Sequence, residues 1–175
     1  MRSSRLFFRD AARGCYAQEE LGYRYLGNWT DDDGNSNIEE GLLTNYLTRN
    51  GYAPEQISAA LYKLRTEADN HSRSLYAKNQ AVYNILRYGV PVKIEAGKDM
   101  ETVNLINWKE PAKKNDFALA EEVTLKGNQE RRPDVVLYVN GIAVGVLELK
   151  RSSVSIGDGI RQTLSNQQPE FNEWF

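Results

Sequence analysis

The sequence predicts an α/β domain: a central mixed β-sheet flanked by helices. Residues 38–88 carry apolar positions at helical spacing between recognisable caps. Residues 92–147 carry short apolar runs broken by turn residues, and a last helical pattern follows at 158–167. Helices on either side of a largely β centre must each bury one face, and a sheet is the surface available to them. At 175 residues the chain suits one domain with a substantial core.

Residues 1–37 are expected to be an N-terminal extension, and 38–175 the domain proper. A short amphipathic piece runs from Leu6 to Leu21, and an aromatic stretch from Gly22 to Trp29. Thr30 to Asn37 contains Asp31-Asp32-Asp33-Gly34, whose consecutive acids lack the alternate spacing of a calcium loop, so it reads as a solvated loop. Ser36-Asn37-Ile38-Glu39 resembles a capping box opening a helix to Asn50. Ile38, Leu42, Leu43, Tyr46 and Leu47 form its apolar face, and Gly51 is placed to end it. Pro54 starts a second helix carrying Ile57, Leu61 and Leu64. A third runs from about Ser72 to Tyr88 through Leu75, Val82, Tyr83 and Leu86, stopped by Gly89 and Pro91. Strand signals then cover Val92–Ile94, Thr102–Trp108 and Phe117–Leu125, with a polar loop from Lys109 to Asp116. Beyond a small-residue loop, a helix from about Asp158 to Gln167 is broken by Pro169. Phe171, Trp174 and Phe175 are unusual residues for a frayed terminus, so the chain is expected to be one domain of a longer polypeptide.

Composition narrows the chemistry. A net charge of -2 gives no global field for a polyanion, so any nucleic-acid contact must come from a local patch. Lys126 to Gln162 is the candidate, with six cations against four acids. One cysteine, Cys15, excludes an internal disulfide, and one histidine, His71, leaves no zinc cluster. A metal here should be a hard, oxygen-liganded ion such as Mg²⁺ or Mn²⁺. No apolar run is long enough for a signal peptide or a membrane span, and the cytoplasm is the expected compartment.

The residues that carry chemistry lie in RRPDVVLYVNGIAVGVLELK, Arg131 to Lys150. Two apolar runs, Val135–Val139 and Ile142–Leu147, are split by Asn140-Gly141, a strong hairpin signal. Asp134 stands where the first strand begins; Glu148 and Lys150 stand where the second ends, two apart and so on one face. Charge gathered at the rim of a buried hairpin suggests a metal-and-water site, because unpaired burial costs several kcal/mol or more. A hairpin whose charged ends simply reach water is the alternative. Register decides whether Asp134 and Glu148 can share an ion. A plain two-residue turn sets Asp134 opposite Leu147 and points it away from Glu148. An odd connection or a bulge is needed, and a left-handed Gly141 with a G1 bulge predicts an irregularity between Val139 and Ala143.

Pro133-Asp134 followed by Glu148-Leu149-Lys150 resembles the PD-(D/E)xK nuclease core. More of the chain is similar to the N-terminal nuclease domain of the restriction (R) subunit of type I restriction-modification enzymes. The similarity runs through IEEGLLTNYLTRNGY at 38–52, VNLINWKEPAKKNDFALAEEVTL at 103–125, the hairpin, and GIRQTLSNQ at 159–167. It implies that Asp134 and Glu148, with the backbone carbonyl of Leu149, hold Mg²⁺ or Mn²⁺, and that Lys150 is the catalytic lysine. It makes Glu39 an acid near the metal and Gln162 the glutamine of a Q-x-x-x-Y element whose tyrosine is here Asn166. Arg161 beside it is expected either to contact a phosphate or to be a plain surface residue. The expected substrate is double-stranded DNA. The expected setting is a complex with methylation and specificity subunits, driven by an ATP-dependent translocase. This chain has no G-x-x-x-x-G-K-[ST] loop, so ATP would act only through downstream domains. Two other readings fit the same residues: a catalytically silent docking module of that fold, or a separate repair or junction nuclease.

Overall fold

A computed structural model describes residues 19–31, 36–94, 99–124, 132–147 and 156–166. Strand β1 (Arg24–Asn28) is followed by three helices, α1 (Glu40–Arg49), α2 (Pro54–Ala68) and α3 (Leu75–Tyr88). Then come β2 (Val90–Val92), β3 (Glu101–Val103), the short α4 (Pro111–Lys114), β4 (Phe117–Glu121), β5 (Val135–Val139), β6 (Ile142–Leu147) and α5 (Ile156–Asn166). The main sheet is mixed, in the order β1-β4-β5-β6, and β2 and β3 form a separate antiparallel pair. Among the described strands β1 pairs with β4 in parallel, and the other three pairings are antiparallel. Among the described residues no helix is long and apolar enough to cross a membrane.

Two apolar clusters hold these elements. Leu43 and Leu47 of α1, Leu64 of α2, Val82 of α3, and Val90, Val103, Leu105 and Ile142 are almost wholly buried together. Ala118, Ala120, Val136 and Tyr138 form the second on one face of the main sheet, closed by Leu26 and Trp29. A single buried leucine or valine is worth about 1.5–3 kcal/mol of burial, so these dozen or so residues dominate the favourable side of folding.

Local signals place most helix ends. Pro54 stands at the first turn of α2, and the Gln56 side chain accepts the Ala53 N–H (2.7 Å). Gly51, with φ at +84°, ends α1. Two helix starts move. α1 begins at Glu40 rather than at a box on Ser36, because 37–39 is held extended along the hairpin. Glu39 N–H donates to Gly141 O (2.7 Å), Ala143 N–H donates to Asn37 O (2.8 Å), and Ile38 bridges Ile142. Half the box survives, with Ser36 N–H donating to Glu39 Oε1 (3.1 Å). α3 begins at Leu75, where the Ser74 hydroxyl accepts the Ala77 N–H. Its buried face is Lys78, Val82 and Ile85, so Tyr83, expected in the core, is 59% exposed.

Three strands are shorter or shifted relative to expectation. β2 ends at Val92 rather than starting there. β3 stops at Val103 because side chains take the next backbone groups: Asn104 N–H donates to Tyr52 Oη (2.9 Å), and Leu105 O accepts Asn140 Nδ2 (2.8 Å). β4 stops at Glu121 because Glu122 turns left-handed, with φ at +53°. The polar loop after Trp108 contains the single turn of α4.

The hairpin matches its predicted limits, and its irregularity lies one step further on. Asn140 and Gly141 are both left-handed (φ +54° and +85°), and Val139 pairs with Ile142, so the connection is a plain two-residue turn. No G1 bulge forms. Instead Tyr138 pairs with Ala143 and Leu137 with Gly145, which leaves Val144 as the extra residue. From there Val136 faces Val146 and Val135 faces Leu147.

Candidate active site

Asp134 directly precedes β5, after the buried Pro133, and is itself half-buried. Its carbonyl accepts Glu122 N–H (3.1 Å), so the loop into β5 is tied to the end of β4. Strand alternation gives Asp134 the same face as Val136 and Tyr138.

Glu39 reaches this face from the N-terminal cap of α1. Its charge is close enough to Tyr138 to help raise the Tyr138 phenol pKa, although burial is the larger cause. The position follows from the hairpin. A Cβ on Gly141 would lie 2.6 Å from Glu39 O and 2.8 Å from Leu42 Cβ, so only glycine lets the helix start approach the turn this closely. Glu39 therefore has a local hydrogen bond, to Ser36, and a place near Tyr138 at the turn end of the hairpin, on the face that carries Asp134 but at the opposite end of β5 from it.

Gln162 lies on α5, in whose first turns Asp158 pairs with Arg161. The Arg161 guanidinium thus has an intrahelical carboxylate partner. Glu148, Leu149 and Lys150 lie outside the described residues, as do the side chains of Gln162 and Asn166. Among the described residues no group of three His, Cys, Asp or Glu side chains could hold a metal. Asp134 and Glu39 are what this structure brings to one face of the main sheet.

Among the described residues of the main sheet and its hairpin turn, three buried polar side chains escaped sequence reasoning. Glu121, only 5% exposed, closes β4, and its Oε2 accepts the Tyr25 hydroxyl (3.3 Å). It pairs with Val135, which puts it on the face opposite Asp134 and ties β1 to the sheet. A carboxylate inside the apolar FALAE run was the available signal. The Tyr138 hydroxyl is buried with no hydrogen-bond partner among the described residues. Asn140, fully buried, is more than a turn residue. Its Nδ2 donates to Leu105 O (2.8 Å) and Asn115 Oδ1 (2.9 Å), and its Oδ1 accepts Asp116 N–H (2.7 Å).

Comparison with known proteins bears on what this arrangement does. Residues 16–174 match the family described as type I restriction enzyme R protein N terminus. Two Methanocaldococcus jannaschii proteins, described as the MjaIXP and MjaVIIIP endonuclease subunits of type I restriction enzymes, are each 30% identical to the chain. The first alignment covers 75% of this chain and 14% of that protein, the second 57% and 9%. The chain therefore spans a small part of the length of these relatives. No solved structure matches it.

Proposed function

Because the chain belongs to the family of type I restriction enzyme R protein N termini, we propose that it is the Mg²⁺-dependent endonuclease domain of such a subunit, a PD-(D/E)xK core that cuts double-stranded DNA. The observation that carries this reading is the Val144 bulge. The last described pair of the hairpin is Val135 with Leu147. Asp134 immediately precedes the first of these, and Glu148 immediately follows the second. Without the extra residue Val135 would face Val146, and the two acids would belong to opposite faces.

Asp134, Glu148 and the Leu149 carbonyl are hard oxygen donors of the kind Mg²⁺ or Mn²⁺ takes, and the half-buried Asp134 beside a sheet end fits that role. When bound, the ion supplies Lewis acidity toward the scissile phosphate and lowers the pKa of water. The chain does the rest. Asp134 and Glu148 fix the donor geometry. Lys150, as an ammonium group, favours the deprotonated form of the attacking water and offsets charge growing on the phosphate. Glu39 adds negative charge on the Asp134 face, and Gln162 orients from α5.

In the full subunit this domain would be loaded onto DNA by an ATP-driven translocase and would act with methylation and specificity subunits in the cytoplasm. With a net charge of -2, the isolated chain should cut DNA weakly or not at all. The test uses the assembled complex. Lys150→Ala should abolish cleavage while DNA binding and ATP hydrolysis persist; cleavage at the unaltered rate removes Lys150 from the chemistry.

A further inference from the structure

A cleft of about 380 Å³ opens between the C-terminal ends of α1 and α3 and the segment 104–109. That is the size of a small-ligand pocket. Asn50, Tyr52, Arg87, Asn104, Trp108 and Lys109 are among the residues that line it, and no carboxylate does. Asn104 and Ile106 of its lining flank Leu105, whose carbonyl is bonded to Asn140 at the hairpin turn. Asn140 lies six residues along the strand from Asp134, about 20 Å of extended chain, so the cleft lies at the far end of the hairpin from the proposed metal ligands.

Its chemistry is specific. The Arg87 guanidinium carbon sits 5.4 Å from the Trp108 ring centroid and 5.8 Å from that of Tyr88. Stacking of this kind engages the flat face of the guanidinium and leaves its N–H edge for an anion. Among the described residues, neither Arg87 nor Lys109 is paired with a carboxylate. Trp108 donates its indole N–H to Leu86 O (2.8 Å), which fixes the ring plane, yet the residue is 49% exposed. Asn104 adds an amide to the lining. Leading away from the cleft, α3 has no acidic residue, and Tyr76, Gln80 and Tyr83 continue its exposed side at helical spacing.

We propose that this cleft binds a nucleotide unit, its phosphate held by Arg87 and Lys109 and its base stacked on the Arg87–Trp108 layer. A free nucleotide and one residue of a single strand present the same chemistry. An acidic peptide would bring the charge without the ring, and inorganic phosphate likewise.

The 175-residue chain is titrated with dAMP, inorganic phosphate, an oligoglutamate peptide and a single-stranded oligodeoxythymidine, with calorimetry and tryptophan fluorescence as readouts. dAMP should bind and quench tryptophan emission, and phosphate should bind about 5- to 150-fold more weakly, since stacking is worth about 1–3 kcal/mol per base. Arg87→Ala should weaken dAMP binding about tenfold or more, the scale of a lost charge-assisted hydrogen bond. Arg87→Lys should fall between, and Lys109→Ala should weaken binding as well, which covers the case in which Arg87→Ala fails to fold. Asp134→Asn should leave binding unchanged, so this inference and the nuclease reading can fail separately. Tighter binding of the oligonucleotide, with the same Arg87 dependence, assigns the cleft to a strand; equal affinity per nucleotide assigns it to a free nucleotide. Absence of binding by both, equal affinity for phosphate or oligoglutamate, or indifference to both Arg87 and Lys109 substitutions overturns the proposal.

Discussion

Replacing Asn140 by glycine separates two explanations of the hairpin tip. If Asn140 serves only as a left-handed turn residue, Gly-Gly forms the same turn and the change is nearly neutral. The structure gives a different answer. The substitution removes side-chain hydrogen bonds that include those to Leu105 O, Asn115 Oδ1 and Asp116 N–H. Each is worth about 1 kcal/mol net, and more where a buried partner is left unsatisfied. Leu105 is fully buried, so its carbonyl gains no water in exchange. The expected loss is about 3 kcal/mol, or roughly 6–12 °C in Tm for a domain of this size. Asn140→Asp keeps the acceptor for Asp116 N–H but loses both donors and buries a charge, so it should cost more still, about 3–5 kcal/mol. Urea unfolding followed by circular dichroism measures both. A glycine variant within about 0.5 kcal/mol of the parent would show that the tip is held by turn propensity and not by the side-chain hub.

Other expectations test neighbouring contacts. Gly141→Ala puts a methyl group against Glu39 O in a left-handed conformation, and should cost about 2–4 kcal/mol in the same urea assay. A change under about 0.5 kcal/mol would mean that α1 and the turn are not in such close approach. Glu39→Gln keeps an acceptor for Ser36 N–H, so it should impair DNA cleavage by the full complex far more than it lowers the melting temperature. A loss confined to melting would return Glu39 to a purely capping role. Tyr138→Phe tests the hydroxyl that has no hydrogen-bond partner among the described residues. Burial, and secondarily the Glu39 charge, hold the folded-state phenol pKa above its ordinary value. The unfolded chain therefore releases this proton first, and stability falls as pH rises above about 10, by up to about 1.4 kcal/mol per unit from this group. The phenylalanine variant should be neutral or slightly more stable at pH 7 and show a shallower alkaline decline; an unchanged alkaline slope would contradict the burial argument.

The sequence was most legible where a local rule and the tertiary structure agree. Asn140-Gly141 between apolar runs set both strand limits, and Pro54 and Gly51 set helix ends, because each acts through its own backbone. It was less legible where distant groups decide. The expected strand 102–108 ends at Val103 because Tyr52 and Asn140, 35 or more residues away, take its backbone groups. The helix expected from Ser36 starts at Glu40 because the hairpin draws 37–39 into extended pairing. For the candidate site, the need for a bulge followed from strand parity alone, but its position did not. The Asn-Gly pair favours the plain turn, which pushes the extra residue on to Val144. Asp134 could be read from its place before an apolar strand, whereas Glu121, Tyr138 and the Asn140 hub depend on contacts that no spacing encodes.

The outermost strand has a consequence for the order of assembly. Arg24 meets Asp116 across 92 residues, while the helices of 40–88 and the hairpin form from near neighbours. Closing a loop that long costs about 4 kcal/mol of chain entropy. On a ribosome the strand must wait until β4 has emerged before it has a partner, and in refolding the loop entropy delays its pairing behind the local hairpin. Slow amide exchange should then reach Tyr25 and Leu26 after it has reached the hairpin, and a nascent chain stalled before residue 117 should hold its helices with no partner for its first strand.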